Sequence, residues 1–140
     1  MIQSGTKALT IWQPYASLIV LGLKEFETRI WETKYRGPLV IHAAKRKMRI
    51  RQLLLIDWLL SNVPDVYHDQ LRDPPYGAAV GRVELVDCKH QDNYRGFISE
   101  RERQVGNWDV DYAWKLANPV QFESPISAKG YQGLWNWKIV

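Results

Sequence analysis

Short apolar runs, each broken by a polar or turn residue, organise the 140-residue chain. Lys7–Trp12 is short, apolar and β-compatible, and reads as a first strand. Pro14 suits the first turn of a helix, where its missing N–H is no loss, and Tyr15–Leu21 continues that helix to a stop at Gly22. Strand character resumes over Phe26–Ile30, and after the Gly37-Pro38 turn Leu39–Ile41 reads as a short buried strand. Met48–Leu60 has helical length, and its leucine-rich second half predicts burial on most sides. Asn62–Tyr76, with Pro64, Pro74 and Pro75, reads as a connection from that helix back to a strand. A long strand over Ala78–Cys88, a polar helix over Phe97–Val105 and strands over Tyr112–Leu116 and Leu134–Val140 complete the pattern. Strands interleaved with short helices, without a βαβ rhythm, predict an α+β small barrel in a single domain over residues 1–140.

Composition narrows the class. With 46% hydrophobic and 24% charged residues the chain is globular, and its 9 Gly and 7 Pro follow no period. The lone Cys88 excludes an internal disulfide and fits a reducing cytoplasm. The uncharged run Ala8–Leu23 is interrupted by Gln13 and Pro14 and falls short of the ~20 apolar residues of a membrane span. It also lacks the basic start and cleavage site of a secretory signal, so a cytoplasmic protein without membrane contact is expected. Cys88 and His90, two apart on a strand, lack the further ligands of a metal site, and no metal or cofactor is expected.

Charge is unevenly spread. The net +4 hides nine basic residues against three acidic ones between Lys24 and Arg51. Within that segment, Lys45-Arg46-Lys47-Met48-Arg49-Ile50-Arg51 sits at a predicted helix start, where cations oppose the helix dipole. A bound phosphate reverses that penalty, whereas a water-screened basic face merely tolerates it; both readings stand. Seven Trp and seven Tyr serve equally as core filler or stacking platforms. Trp135 and Trp137, like Tyr112 and Trp114, alternate as barrel core. Trp12, Tyr15, Trp31 and Tyr35 instead stand near Gln13, Lys24, Glu27, Arg29 and Arg36 in sequence, as an aromatic wall for a base or single strand would. His42 reads first as a satisfied core histidine and second as a titrating group at a cleft mouth.

The densest chemistry is Gly22-Leu23-Lys24-Glu25-Phe26-Glu27-Thr28-Arg29. Two apart on a strand, Glu27 and Arg29 share a face, and Lys24 at the turn can curl onto it. Such a trio is either a salt-bridge network tying strand to helix or a polar cleft in which a carboxylate accepts a proton or meets a base edge.

The segment fits Gly-x-Lys-x-x-Glu-x-Arg, and with its flanks the chain resembles the ASCH domain family of the PUA-like superfamily. Those flanks are Leu9–Ala16, Trp31–Lys45, Gly77–Cys88 and Gly130–Trp135, and the second is similar to a bacterial and phage subgroup. The resemblance implies a PUA-like β-barrel of about five or six strands with flanking helices. It implies a cleft around the motif that takes RNA or a modified nucleoside or nucleotide, with no obligatory protein partner. Lys24, Glu27 and Arg29 then line the cleft with Trp12, Gln13, Tyr15, Trp31, Tyr35 and Arg36. Lys45, Arg46 and Lys47 meet phosphates, and Lys129 and Gln132 on the Lys129–Gly133 turn are second-tier contacts. The resemblance also admits a metal-independent hydrolase, a single-stranded RNA ribonuclease or nucleoside amidohydrolase, with Lys24 and Glu27 catalytic. For that chemistry Lys24, Lys45, Tyr35 or Tyr112 would polarise a phosphate or move a proton. Where amidohydrolases of the family carry a threonine three residues after the lysine, this chain has Glu27; Thr28 points to the opposite strand face. Glu84 is the candidate for the distant carboxylate. A protein-interaction domain with an incidental basic face is the third reading.

Overall fold

Alternation along each strand sorts side chains onto two faces, and the curl of the sheet makes one of those faces the core. The computed structural model describes residues 5–138. Six strands form one sheet: β1 (Lys7–Ile11), β2 (Phe26–Arg29), β3 (Gly37–Ala43), β4 (Ala78–His90), β5 (Tyr112–Ser127) and β6 (Leu134–Asn136). Their order is β2-β5-β4-β3-β1-β6, and β1 and β3 are its parallel pair among the described residues. The sheet curls into a half-barrel, the α+β architecture expected from the pattern.

Helix α1 (Tyr15–Val20) fills the concave face. Its Ala16, Ile19 and Val20 pack on Leu9 and Ile11 of β1, Leu39 and Ile41 of β3, Val83 of β4 and Trp114 of β5. The intervening Ala8 and Val40 turn to the convex face and meet Ala79 and Trp137. Gly22, at φ +79, ends α1 as expected, and Leu23 and Lys24 both donate backbone N–H groups to Leu18 O before the chain enters β2. Leu18, on the other side of α1, joins a second core with Ile56 and Leu59 of α2 (Ile50–Leu60), Leu71 of α3 (His68–Arg72) and Val105 of α4 (Glu100–Val105). Each fully buried leucine of this kind contributes about 2 kcal/mol.

Several elements differ from the pattern reading. The leucine-rich half of α2 buries only one face, Ile56 and Leu59, and exposes Leu53 and Leu54, and Gly37-Pro38 opens β3 instead of forming a turn before it. The Asn62–Tyr76 connection contains α3, whose Leu71 is fully buried. The polar helix begins only at Glu100, because Ser99 Oγ caps it by accepting from Glu102 N–H at 3.1 Å. β5 runs past Leu116 to Ser127 through Pro119 and Pro125, pairing with β4 across register shifts that accommodate the exposed half. β6 ends at Asn136 rather than Val140; Ile139 and Val140 lie outside the described residues.

Candidate nucleic-acid interface

Three segments far apart in sequence meet in one cleft of about 1120 Å³. The turn into β2 brings Lys24, Glu27 and Arg29; the stretch entering α2 brings Arg46, Arg49, Arg51 and Gln52; the end of α4 brings Gln104 to Asn107. Thr10, Ile11, Trp12 and Tyr15, from β1 and the start of α1, form the remaining wall.

β2 is held by pairing with β5, Glu27 opposite Trp114 and Arg29 opposite Tyr112, so both motif side chains share the concave side. Arg29 Nε donates to Glu27 Oε2 at 2.8 Å, and Arg29 Nη2 donates to the carbonyl of Thr10 at 3.0 Å. Phe26 points the other way, into a cluster with Trp108 and Ala113. The motif therefore supplies both an ion pair and a polar lining.

Lys24 does not curl onto Glu27. Its ammonium donates to the Phe26 carbonyl and lies 3.8 Å from Glu102 Oε2, both side chains nearly inaccessible. Glu102 is the residue that pattern reading missed. The Ser99-x-x-Glu102 spacing marks a helix start and says nothing of burial. Its Oε1 accepts from Glu25 N–H at 2.7 Å, and neighbouring Arg101 donates to Leu23 O at 2.9 Å, so α4 is bolted to the motif turn. Burial pushes the Glu102 carboxyl up, against the opposing pull of Lys24 and of the Glu25 N–H.

The basic run divides. Arg46 stacks on Trp12, its guanidinium carbon 3.6 Å from the ring centroid, and the indole remains half exposed. Arg49 and Arg51 flank the first turn of α2, which has no acidic residue; Gln52 Oε1 reaches back to accept from Arg49 N–H at 2.9 Å. Arg46, Arg49 and Arg51 form no ion pair among the described residues, while Asp109 at the rim is taken by Arg95 at 3.4 Å. Lys47 turns away to Tyr76, its Nζ 4.0 Å from the ring centroid, and Lys45 lies against Gly77.

Several expected residues stand elsewhere. Gln13 is buried, and its side-chain amide is spent on Ser17 and the Pro75 carbonyl, which pins the start of α1. Trp31 packs edge-on against Trp114 at 4.7 Å, and Tyr35 donates its hydroxyl to Pro38 O. Arg36 pairs with Asp87 at 3.7 Å and Glu84 with Arg82 at 3.9 Å; none of these borders the cleft. Lys129 and Gln132 are exposed on the turn before β6, apart from the cleft. Tyr112 packs against the barrel core.

His42 is a core histidine. Its Nε2 faces the Ala128 carbonyl at 2.7 Å and must be the protonated nitrogen, since a carbonyl only accepts. Nδ1 then accepts from Thr10 Oγ1, which in turn accepts from Trp135 Nε1 at 3.1 Å. Burial pushes the imidazole down, so it stays neutral within a satisfied chain of donors.

A curled six-strand half-barrel with helices on its concave side and a polar cleft at its open edge defines a PUA-like fold. The ASCH domain family model matches residues 9–126, and the chain belongs to that family. Over 133 residues it is 29% identical to activating signal cointegrator 1 of Homo sapiens, an alignment covering 94% of this chain and 22% of the human protein. The mouse protein of the same name matches equally, at 29%. The chain thus spans about a fifth of the length of these curated relatives. The crystal structure of ASCH from Zymomonas mobilis is similar at a TM-score of 0.50 and 16% identity, covering 88% of this chain and 73% of that one. A mutant of the same protein gives 0.50 and 15%, covering 88% and 76%. At such identities the likeness concerns the fold alone. No helix among the described residues is long and apolar enough to cross a membrane.

Proposed function

We propose that this ASCH domain binds single-stranded RNA, or a nucleotide derived from it, in the cleft between β2, α2 and α4. The observation that carries the reading is the set of three arginines, without an ion pair among the described residues, that share a cleft with the half-exposed Trp12. Arg46 on Trp12 makes a flat cationic platform, and bases stack on both indole rings and guanidinium planes. Arg49 and Arg51 stand at the first turn of α2, where phosphate oxygens meet side-chain cations and no acidic residue opposes them. Family membership agrees with an RNA ligand.

The geometry favours binding over hydrolysis. Lys24 is engaged by Phe26 O and Glu102 and so is not left as a free base or proton donor, and Glu27 is charge-paired with Arg29. The test is affinity for a short single-stranded RNA measured across salt concentrations. Each phosphate contact contributes a slope of about −0.7 in log K against log salt. A slope near zero, or no binding at low salt, removes the proposal.

A further inference from the structure

Glu27 is out of place in a cleft that collects arginines. An anion there repels phosphate, yet the side chain is held in position by Arg29. Glu27 is 8% exposed and borders the cleft, and its Oε2 accepts from Arg29 Nε at 2.8 Å. Arg29 is itself anchored on the Thr10 carbonyl, so the carboxylate is both neutralised and oriented before any ligand arrives. Its Oε1 has no hydrogen-bond partner among the described residues. A carboxylate offers about four lone-pair sites and no donor, and Arg29 uses one of them. What remains is a fixed, largely buried acceptor in the cleft that Trp12 and Arg46 also line.

We infer that Glu27 reads the Watson–Crick edge of guanine and makes the domain prefer guanine-containing single strands; this rests on the RNA-binding reading above. Guanine is the one standard base with two donors side by side, N1–H and the N2 amino group, which match a carboxylate in bidentate fashion. Adenine and cytosine set their single amino group beside a ring-nitrogen lone pair. Uracil flanks its one imino N–H with two carbonyl oxygens. Each of these turns an acceptor toward an acceptor, and at a largely buried carboxylate the mismatch leaves polar groups unpaired. Stacking on Trp12 and Arg46 is indifferent to the base, so Glu27 supplies the discrimination that the platform lacks.

The experiment is fluorescence anisotropy at fixed low salt with short oligouridine strands carrying one central guanosine, inosine, adenosine or uridine. Inosine keeps N1–H and loses the amino group, so it isolates the second hydrogen bond. The guanosine strand is expected to bind about tenfold tighter than the others. In Glu27→Gln, whose amide presents one acceptor and one opposing donor, the ratio of guanosine to inosine affinity falls toward one. Equal binding of all four strands by the wild-type protein overturns the inference while leaving the cleft an RNA site. Binding of none overturns both. A guanosine preference that survives in Glu27→Gln moves the recognition to another residue and overturns the role of Glu27.

Discussion

Arg29 on the edge strand β2 donates to the backbone carbonyl of Thr10 on β1 at 3.0 Å, although β5, β4 and β3 separate the two strands in sheet order. The sheet curls far enough for a side chain to bridge strands that never pair. Arg29→Ala strips Glu27 of its counter-charge and leaves the Thr10 carbonyl unpaired. A loss of about 1–3 kcal/mol is expected, read from the urea unfolding midpoint. An unchanged midpoint would mean that the bridge contributes nothing to closure.

The Lys24–Glu102 pair is the second clasp. Lys24→Met leaves a buried carboxylate alone, at a cost of about 3–5 kcal/mol, whereas Lys24→Met with Glu102→Gln is expected to recover most of it. The pH dependence carries a definite sign. Burial raises the folded carboxyl above its unfolded value, so as pH climbs the unfolded chain releases this proton first. Stability is therefore lost from the ordinary carboxylate range upward through the folded value. Without Lys24 that folded value lies higher, so Lys24→Met should regain ground on the wild type as the pH falls from 7 to about 5. The neutral His42, whose contribution falls in acid, is common to both proteins and cancels in the comparison. A constant stability difference across that range contradicts the assignment.

Stacking and charge are separable in the cleft. Trp12→Ala is expected to weaken RNA binding by about 1–3 kcal/mol while leaving the salt slope unchanged. Replacing Arg49 and Arg51 by Ala should lower affinity for every sequence alike and flatten the slope by about 0.7 per lost phosphate contact. Titrations of both variants at three or more salt concentrations distinguish these outcomes. A Trp12→Ala protein with wild-type affinity would take the platform out of the site.

Two glycines hold their positions through close approach. A Cβ at Gly81 would lie 2.3 Å from the Val120 carbonyl, and at Gly130 2.6 Å from Thr10 Oγ1 and 2.7 Å from His42 Cε1. Gly81→Ala must move backbone and is expected to cost about 3 kcal/mol or more, with Gly130→Ala nearer 2. Gly96→Ala, which meets nothing within 4 Å, is the control. Thermal unfolding of the three variants should rank them in that order.

The regular elements of the barrel and the polarity of the motif were readable from spacing, because period-2 alternation and a Gly stop are local signals. The pairings of the motif were not. Lys24 meets Glu102, seventy-eight positions on, and no local pattern marks a carboxylate on a polar six-residue helix as buried. The aromatic wall was half legible. Trp12 and Tyr15 reach the cleft because they sit where β1 turns into α1, whereas Trp31 and Tyr35 lie beyond β2, where the inward direction leads to Trp114 and the sheet core. Gln13 looked like a ligand contact and is a peg, its amide consumed by Ser17 and Pro75. Of the basic run, Arg46 lines the cleft, whereas Lys45 and Lys47 turn to Gly77 and Tyr76 on the other side of the connection.

The cleft is assembled from the β2 turn, the entry to α2 and the end of α4, and exists only when all three are docked. Whatever binds across them has nothing comparable to hold in the unfolded chain. Ligand concentration then enters the folding equilibrium directly, adding about 2.7 kcal/mol at one hundred times its dissociation constant. The melting temperature of the domain is for that reason a built-in gauge of occupancy, able to rank ligands before any labelled strand is made.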